Sequence, residues 1–254
     1  NPQEGQVIVQ IKTPIYSFAF VNQYLWVGCS TGNVHIIDLE ARKEVKNYQL
    51  NSGAIFDIKY EFPCGIFIAT AQGKLFHFQE DGSILAESII SNKPLREIYL
   101  LASKNILYIA CSDHSIYEYS IPEKRIINIF SGSLNSVFCL EYLDPYLISG
   151  GRDARIRIWD SINLTEINHL NAHWYTINGL KLNPSKKLLA SSSLDKSIKI
   201  WECPEIKLIK VIDLLKNQGH SSSVNRLIWL DEENLISSSD DRNIIQWKIS
   251  LNDN

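Results

Sequence analysis

One pattern recurs three times in this chain, and the repeat constrains the fold more than any other feature. Each copy has a run of small residues, an acidic turn, and a strand in which apolar residues alternate up to a Trp. In every copy a Ser stands four residues before the Asp, and the Trp stands six residues after it. The three copies are Ser149, Asp153 and Trp159; Ser191, Asp195 and Trp201; and Ser237, Asp241 and Trp247.

The same period extends over the whole chain. Aligning on the Trp position gives six repeats spaced 40 to 46 residues apart, with a large apolar residue at each aligned position. Short alternating apolar segments bounded by turn residues predict four antiparallel strands in each repeat. The aligned positions are Ile37, Phe78, Tyr119, Trp159, Trp201 and Trp247. The repeats run over residues 15–50, 55–90, 95–130, 137–170, 177–212 and 224–250.

This pattern resembles the signature of the WD40-repeat β-propeller family, and the resemblance covers almost the whole chain. It implies one all-β propeller domain over residues 1–254, with six repeats visible. The intact ring then has six blades, or seven if a further repeat precedes these. Residues 6–11 precede the first complete repeat and are predicted to be the outer strand of a blade.

The resemblance also implies a buried hydrogen-bonded set in each well-preserved repeat. In the family, a His before the first strand, a Ser or Thr on the second strand, the turn Asp and the Trp form this set. A buried carboxylate is costly unless donors satisfy it, and imidazole and hydroxyl groups are such donors. The fourth repeat has Ser133 where the His belongs. The matching residues are His173, Ser191, Asp195 and Trp201 in the fifth repeat, His220, Ser237, Asp241 and Trp247 in the sixth, and Ser149, Asp153 and Trp159 in the fourth.

A Ser, a His and an Asp together also suggest a hydrolase. A nucleophilic triad is needed once, however, whereas this set recurs, and no G-x-S-x-G elbow accompanies it. The six His residues lack metal-site spacing, and no glycine-rich phosphate loop is present. We therefore predict a structural set, no enzyme activity, no metal and no cofactor.

Net charge and cysteine content limit the classes of partner and the cellular compartment that we expect. The net charge of −3 provides no basic field for nucleic acid or an anionic membrane, and no apolar run approaches the roughly 20 residues of a membrane span. Five scattered cysteines without a C-x-x-C pair favour a reducing, cytoplasmic location. Arg155, Arg157, Lys196 and Lys199 alternate with Ile and are predicted to face solvent.

A loop-lined face remains as the candidate binding surface. Mapping the family's positions onto this chain places aromatic, amide and arginine side chains near the central opening, a composition typical of a binding hot spot. The first-strand aromatics alternatively fill the channel wall. The predicted partner-binding residues are Tyr16, Phe56, Arg96, Phe138, Arg152, Asn178, Asn225, Asp240 and Trp174.

The leading prediction is a non-catalytic scaffold that binds protein or peptide partners and is a monomer by itself. The alternative is a propeller that binds a small ligand, or acts as an enzyme, through its central pocket. That alternative needs clustered carboxylates or His residues at the mouth, and there Asp240 stands almost alone. The long connection over residues 213–223 is a further candidate contact element.

Overall fold

A computed structural model describes residues 7–250 of the chain. The described residues form six antiparallel sheets and almost no helix, so the predicted all-β propeller of six repeats is confirmed. Two compact units divide the chain, residues 1–129 and residues 130–254. Each unit is built from three successive sheets.

The first unit contains sheets 1 to 3, each with four strands in chain order. Sheet 1 is β1 (Ile15–Val21), β2 (Tyr24–Cys29), β3 (Asn33–Asp38) and β4 (Lys43–Gln49). Sheet 2 is β5 (Ile55–Glu61), β6 (Gly65–Thr70), β7 (Lys74–Phe78) and β8 (Ile84–Ile89). Sheet 3 is β9 (Leu95–Leu101), β10 (Ile106–Cys111), β11 (Ser115–Ser120) and β12 (Arg125–Ser131).

The second unit contains sheets 4 to 6. Sheet 4 is β13 (Val137–Leu143), β14 (Tyr146–Gly151), β15 (Arg155–Asp160) and β16 (Thr165–Asn171). Sheet 5 is β17 (Ile177–Leu182), β18 (Leu188–Ser193), β19 (Ile198–Glu202) and β20 (Lys207–Ile212). Sheet 6 has three strands among the described residues: β21 (Val224–Trp229), β22 (Asn234–Ser239) and β23 (Ile244–Lys248).

Apolar faces of successive sheets pack together within each unit. Between sheets 1 and 2, Trp26 meets Phe78 edge-to-face with ring centroids 5.5 Å apart. Between sheets 5 and 6, Ile198 and Ile200 are buried against Val224. Because fully burying one such side chain stabilises the fold by roughly 1.5–3 kcal/mol, these layers supply the core of each unit.

A small residue occupies the fifth position of every second strand, and packing explains it. In sheet 4 that residue is Gly150, where an added Cβ would lie 2.8 Å from the Cγ2 atom of Ile177 on the next sheet. In sheets 1 and 4 the small residue therefore leaves room for an Ile side chain of the next sheet, Ile55 and Ile177 respectively. The six residues are Gly28, Ala69, Ala110, Gly150, Ser192 and Ser238.

The strand predicted over residues 6–11 falls partly outside the described residues, since residue 6 is not described. Residues 7–11 pair with no strand among the described residues. Val9 and Ile11 pack instead against Val27, Cys29 and Ile37 on one face of sheet 1.

The long connection between β20 and β21 contains a single helical turn, α1 (Leu214–Asn217). Asp213 caps it by accepting the backbone N–H of Lys216 at 2.9 Å. Leu215 in this turn is 94% exposed. No helix in residues 7–250 is long and apolar enough to cross a bilayer.

Candidate functional site

Four side chains of sheet 5 form a hydrogen-bonded chain that joins the loop before its first strand to its second and third strands. The Nδ1 atom of His173 lies 2.9 Å from Oδ2 of Asp195, and its Nε2 atom lies 2.7 Å from Oγ of Ser191. The indole N–H of Trp201 donates to the same Ser191 Oγ at 2.9 Å. The loop before β17, the middle of β18, the following turn and β19 are thereby held together.

Sheet 6 repeats this chain almost atom for atom. His220 lies 2.9 Å from Asp241 and 2.7 Å from Ser237, and the N–H of Trp247 donates to Ser237 at 2.8 Å. Such close repetition in two sheets is expected of a structural unit. We refer to each set of His, Ser, Asp and Trp as a blade lock.

The donors and acceptors in sheet 5 assign one protonation state. Because an indole N–H only donates, Ser191 accepts from Trp201 and donates its hydroxyl proton to Nε2 of His173. Nδ1–H then donates to Asp195. Burial lowers the pKa of His173 although Asp195 opposes that shift, so the imidazole is neutral.

The Asp carboxylates of the two blade locks remain ionised. Burial alone would raise the pKa of Asp195, but hydrogen bonds from His173, Ser197 and the Trp174 amide hold that pKa well below its ordinary value. At Asp241, burial again opposes, but the Asn243 amide and His220 contribute to lowering the pKa to about 2. Each lock therefore contains a carboxylate held by donors from its own turn and from the loop before the first strand.

The same geometry argues against nucleophilic chemistry at the locks. Ser191 and Ser237 are fully buried, and each Oγ already contacts an indole and an imidazole. A serine nucleophile must reach an incoming carbonyl carbon, which these positions do not allow. The described residues also contain no group of three His, Cys, Asp or Glu side chains arranged to hold a metal ion.

Arg157 replaces the missing His in sheet 4, and this corrects its predicted solvent-facing position. The Trp159 N–H still donates to Ser149 at 2.8 Å, but the guanidinium of Arg157 is only 3% exposed. It donates to Asp153 at 2.6 Å and to Glu166 at 2.9 and 3.0 Å. The cation thus satisfies the turn carboxylate that the imidazole satisfies in sheets 5 and 6.

Sheet 3 has a further variant that sequence reasoning missed. Asp113 in its β10–β11 turn accepts hydrogen bonds from Ser91 at 2.5 Å and from Tyr117 at 2.6 Å. Burial raises the pKa of Tyr117 to about 12, assisted by Asp113. Only the turn Asp follows the sequence pattern in this set. The hydroxyl groups of Ser91 and Tyr117 donate to it here, whereas a His donates in sheets 5 and 6 and an Arg donates in sheet 4.

In the first unit, the structure brings three predicted binding residues into one stack. The rings of Tyr16 and Phe56 lie parallel, with centroids 5.7 Å apart, and the guanidinium carbon of Arg96 lies 4.4 Å from the Phe56 centroid. Arg96 also donates its Nε–H to Ser112 at 2.7 Å. Burial lowers the pKa of Arg96, which nonetheless stays protonated.

In the second unit, three predicted binding residues belong to a polar network around buried Ser223. Asn178 donates to the Ser223 hydroxyl and to the Val224 carbonyl, both at 2.9 Å. Asn225 accepts from Ser223 at 3.0 Å and donates to Asp240 at 2.5 Å. Phe138 lies half-buried on β13 and Arg152 is exposed in the β14–β15 turn, outside this network.

Trp174 is the most exposed residue of an apolar patch on the loops of sheet 5. Its side chain is 87% exposed, Tyr175 is 62% exposed, and Leu194 in the β18–β19 turn is 48% exposed. The backbone N–H of Trp174 donates to Oδ2 of Asp195 at 3.1 Å, the oxygen that also contacts His173. The blade lock therefore fixes the base of this patch, which we call the Trp174 patch.

Acidification is expected to destabilise the protein through His173. Its pKa is lowered in the folded state, whereas the unfolded His titrates near about 6.5, so below that pH the unfolded state binds the proton first. Asp195, with its lowered pKa, contributes stability that is lost only below about pH 4. Melting temperatures at pH 7, 6 and 5 should therefore fall less steeply in His173→Gln than in wild type. Equal slopes in the two proteins would contradict a neutral buried imidazole.

The cysteines are free thiols, as the sequence suggested. Burial raises the pKa of Cys203 to about 12 and that of Cys111 to about 11. Since the thiolate is the nucleophile, these two thiols are unreactive at neutral pH.

Comparison with known proteins identifies related sequences and folds. Residues 124–160, 164–202 and 210–248 match the family model described as WD domain, G-beta repeat. Nuclear distribution protein PAC1 of Candida tropicalis is 34% identical over 106 residues, which cover 38% of this chain and 21% of that protein. The chain spans about a fifth to a quarter of the length of the PAC1 proteins that it matches.

Two solved structures share the fold at low sequence identity. The WD40 β-propeller domain of Doa1 aligns with a TM-score of 0.81 and 17% identity, covering 93% of this chain and 79% of that chain. A chain of the Mitotic Checkpoint Complex aligns with a TM-score of 0.83 and 15% identity, covering 95% of this chain and 76% of that chain.

Proposed function

Because this chain belongs to the WD40-repeat β-propeller family, we propose that it is a non-catalytic scaffold that binds protein or peptide partners. Proteins of this family generally act through surfaces presented by a rigid array of sheets. A rigid surface loses little conformational entropy when a partner binds, which favours affinity. The blade locks supply that rigidity here, since each ties a loop to two strands and to the turn between them.

The Trp174 patch is the observation that carries the proposal. Solvent exposure of a whole indole is unfavourable unless a partner covers it, and Trp is enriched among residues that dominate binding energy. Tyr175 and Leu194 extend the apolar surface around it. Exposed Arg152 adds a planar cation on the β14–β15 turn. Aromatic anchors accompanied by an arginine fit a polypeptide partner.

Other predicted binding residues order the loops within their own unit. Asn178, Asn225 and Asp240 hold the loops of sheet 6 through their network with Ser223. In the first unit, the stack of Tyr16, Phe56 and Arg96 preorganises flat aromatic surface. We propose a cytoplasmic location, since the five cysteines form no disulfide in the structure.

Sheet 6 shows which residue can replace Trp174 without loss of the blade lock. At the matching position, Ser221 donates its backbone N–H to Asp241 at 2.9 Å, as Trp174 does to Asp195. Trp174→Ser should therefore keep the fold and the blade lock while removing the exposed indole. The probe is a peptide selected from a displayed random library for binding to the immobilised wild-type protein. Its Kd should increase at least about tenfold in Trp174→Ser, as expected for a binding hot spot.

Leu215→Ser is the matched control, because Leu215 is equally exposed but lies on α1. Calorimetry of each variant with the same peptide measures Kd, and thermal melting verifies folding. An unchanged Kd in Trp174→Ser together with a weakened one in Leu215→Ser would move the binding surface to the connection over residues 213–223. Unchanged affinity in both variants would reject both surfaces.

A further inference from the structure

The loops around the Trp174 patch carry cations that no carboxylate in residues 7–250 neutralises. Arg152 lies in the β14–β15 turn, Lys196 in the β18–β19 turn and Arg242 in the β22–β23 turn, and all three are exposed. None of these side chains forms an ion pair or a hydrogen bond among the described residues. Their charges are therefore available to a partner.

Two of these cations border the loop that carries the indole. Asp195, the residue before Lys196, accepts the backbone N–H of Trp174 at 3.1 Å. On the other side, β14 approaches Ile177 just before the turn that contains Arg152. Ile177 stands only three residues after Trp174 in the chain. A cation thus lies on each of the two turns that flank the Trp174 patch.

The carboxylates in the same loops already accept hydrogen bonds from the chain itself. Asp153, Asp195 and Asp241 each accept from a side chain of their own repeat. Asp240 is exposed, but Asn225 donates to it at 2.5 Å. The loops of sheets 4 to 6 therefore present unpaired cations to solvent, whereas their carboxylates are engaged.

Aliphatic side chains accompany the aromatic ones in this region. Leu134, in the loop before β13, has the position that Trp174 has before β17, and it is 63% exposed. Leu194 extends the Trp174 patch on the side of the β18–β19 turn. Leucine does not stack on nucleotide bases as aromatic rings do, and a net charge of −3 opposes the binding of a polyanion. A polypeptide therefore fits this surface better than nucleic acid does.

We propose that the partner of the Trp174 patch is an acidic polypeptide segment. An apolar side chain of this segment binds on Trp174 and Tyr175, and carboxylates on either side of it pair with Arg152 and Lys196. This inference rests on the proposed scaffold function and names the chemistry of the partner. Complementary charges at the rim of an interface mainly raise the association rate and select against partners of the wrong charge.

Two displayed peptide libraries test the sign of the partner's charge. Both have random apolar residues at alternate positions, with Asp or Glu between them in the first library and Lys or Arg in the second. Immobilised wild-type protein should enrich peptides from the acidic library, and Trp174→Ser should weaken their binding. Raising NaCl from about 0.05 M to about 0.5 M should increase the Kd of the best acidic peptide at least about fivefold, because salt screens exposed charges.

Charge reversal identifies the cations that take part. The double variant Arg152→Glu with Lys196→Glu should increase that Kd at least about tenfold, since two attractions become repulsions. A peptide whose carboxylates are replaced by Lys should bind the double variant more tightly than wild type. Lys187→Glu with Lys207→Glu is the matched control, because both side chains are exposed at the opposite end of sheet 5 and the net charge changes equally. Its Kd should stay within about twofold of wild type.

The outcomes separate this inference from the proposed function. Peptides that Trp174→Ser weakens, but that come only from the basic library or are insensitive to salt, would overturn the acidic partner and leave the scaffold function in place. If neither library yields a peptide that Trp174→Ser weakens, the proposed function fails at this patch and the inference fails with it. Displacement of the acidic peptide by a single-stranded RNA oligonucleotide would contradict a polypeptide partner. Melting verifies that each variant is folded, and the salt titration needs only wild type.

Discussion

Replacing Asp195 with alanine is expected to lower the free energy of unfolding by about 3 kcal/mol. The carboxylate accepts hydrogen bonds from His173, from Ser197 and from the Trp174 amide, and its side chain is only 6% exposed. Removing it leaves a buried imidazole N–H and other donors without their acceptor. Breaking one partner of a buried set is costly, because the remaining polar groups stay desolvated.

Urea unfolding of Asp195→Ala, compared with wild type, measures this loss. Lys196→Ala is the control, since Lys196 is the next residue of the same turn and its side chain is exposed. That control should stay within about 0.5 kcal/mol of wild type. If Asp195→Ala and Lys196→Ala unfold at the same urea concentration, the carboxylate does not stabilise sheet 5.

Gly150→Val is expected to destabilise the second unit by about 3 kcal/mol. A Cβ at this position lies 2.8 Å from Ile177 and 3.0 Å from the Sγ atom of Cys139, and the valine methyl groups need still more room. Sheets 4 and 5 must move apart to admit them. Their separation sacrifices contacts in the apolar cluster that includes Ile156, Leu180 and Trp201.

Ser238→Val places the same Val side chain at the matching position of sheet 6. Ser238 occupies the fifth position of β22, as Gly150 does in β14, but it is only half-buried and no sheet follows sheet 6 among the described residues. Its substitution should change the free energy of unfolding by less than about 0.5 kcal/mol. Urea unfolding of each variant, compared with wild type, measures both changes. Equal losses in the two variants would contradict the role of sheet packing at Gly150.

Repetition made the fold predictable from sequence. The six predicted repeats correspond to the six antiparallel sheets among residues 7–250. Each repeat has the same alternation of apolar residues and a turn at the same place. A strand that is indistinct in one repeat can therefore be located from the others. The pairing of His173 with Asp195 was likewise implied by the family resemblance.

Features that occur at only one place in the chain were not predictable in this way. Arg157 stands in an alternating strand, and its charge alone suggests a solvated position. Its burial depends on Glu166, which reaches it across the β15–β16 pairing, and on Asp153 in the preceding turn. No spacing rule connects three residues that meet only after the strands have paired. The segment over residues 7–11 is similar, because apolar residues such as Val9 and Ile11 are expected both in a paired strand and in a segment that packs on a sheet face.

The carboxylate shared by His173 and the Trp174 amide has a consequence for genetic screens. Substitutions at Asp195 or His173 will release the loop that holds the indole, although neither side chain is accessible to a partner. A screen for lost binding will therefore recover buried residues together with the contact residue. Only the melting behaviour of each recovered variant separates the two groups, with Trp174→Ser alone retaining normal stability.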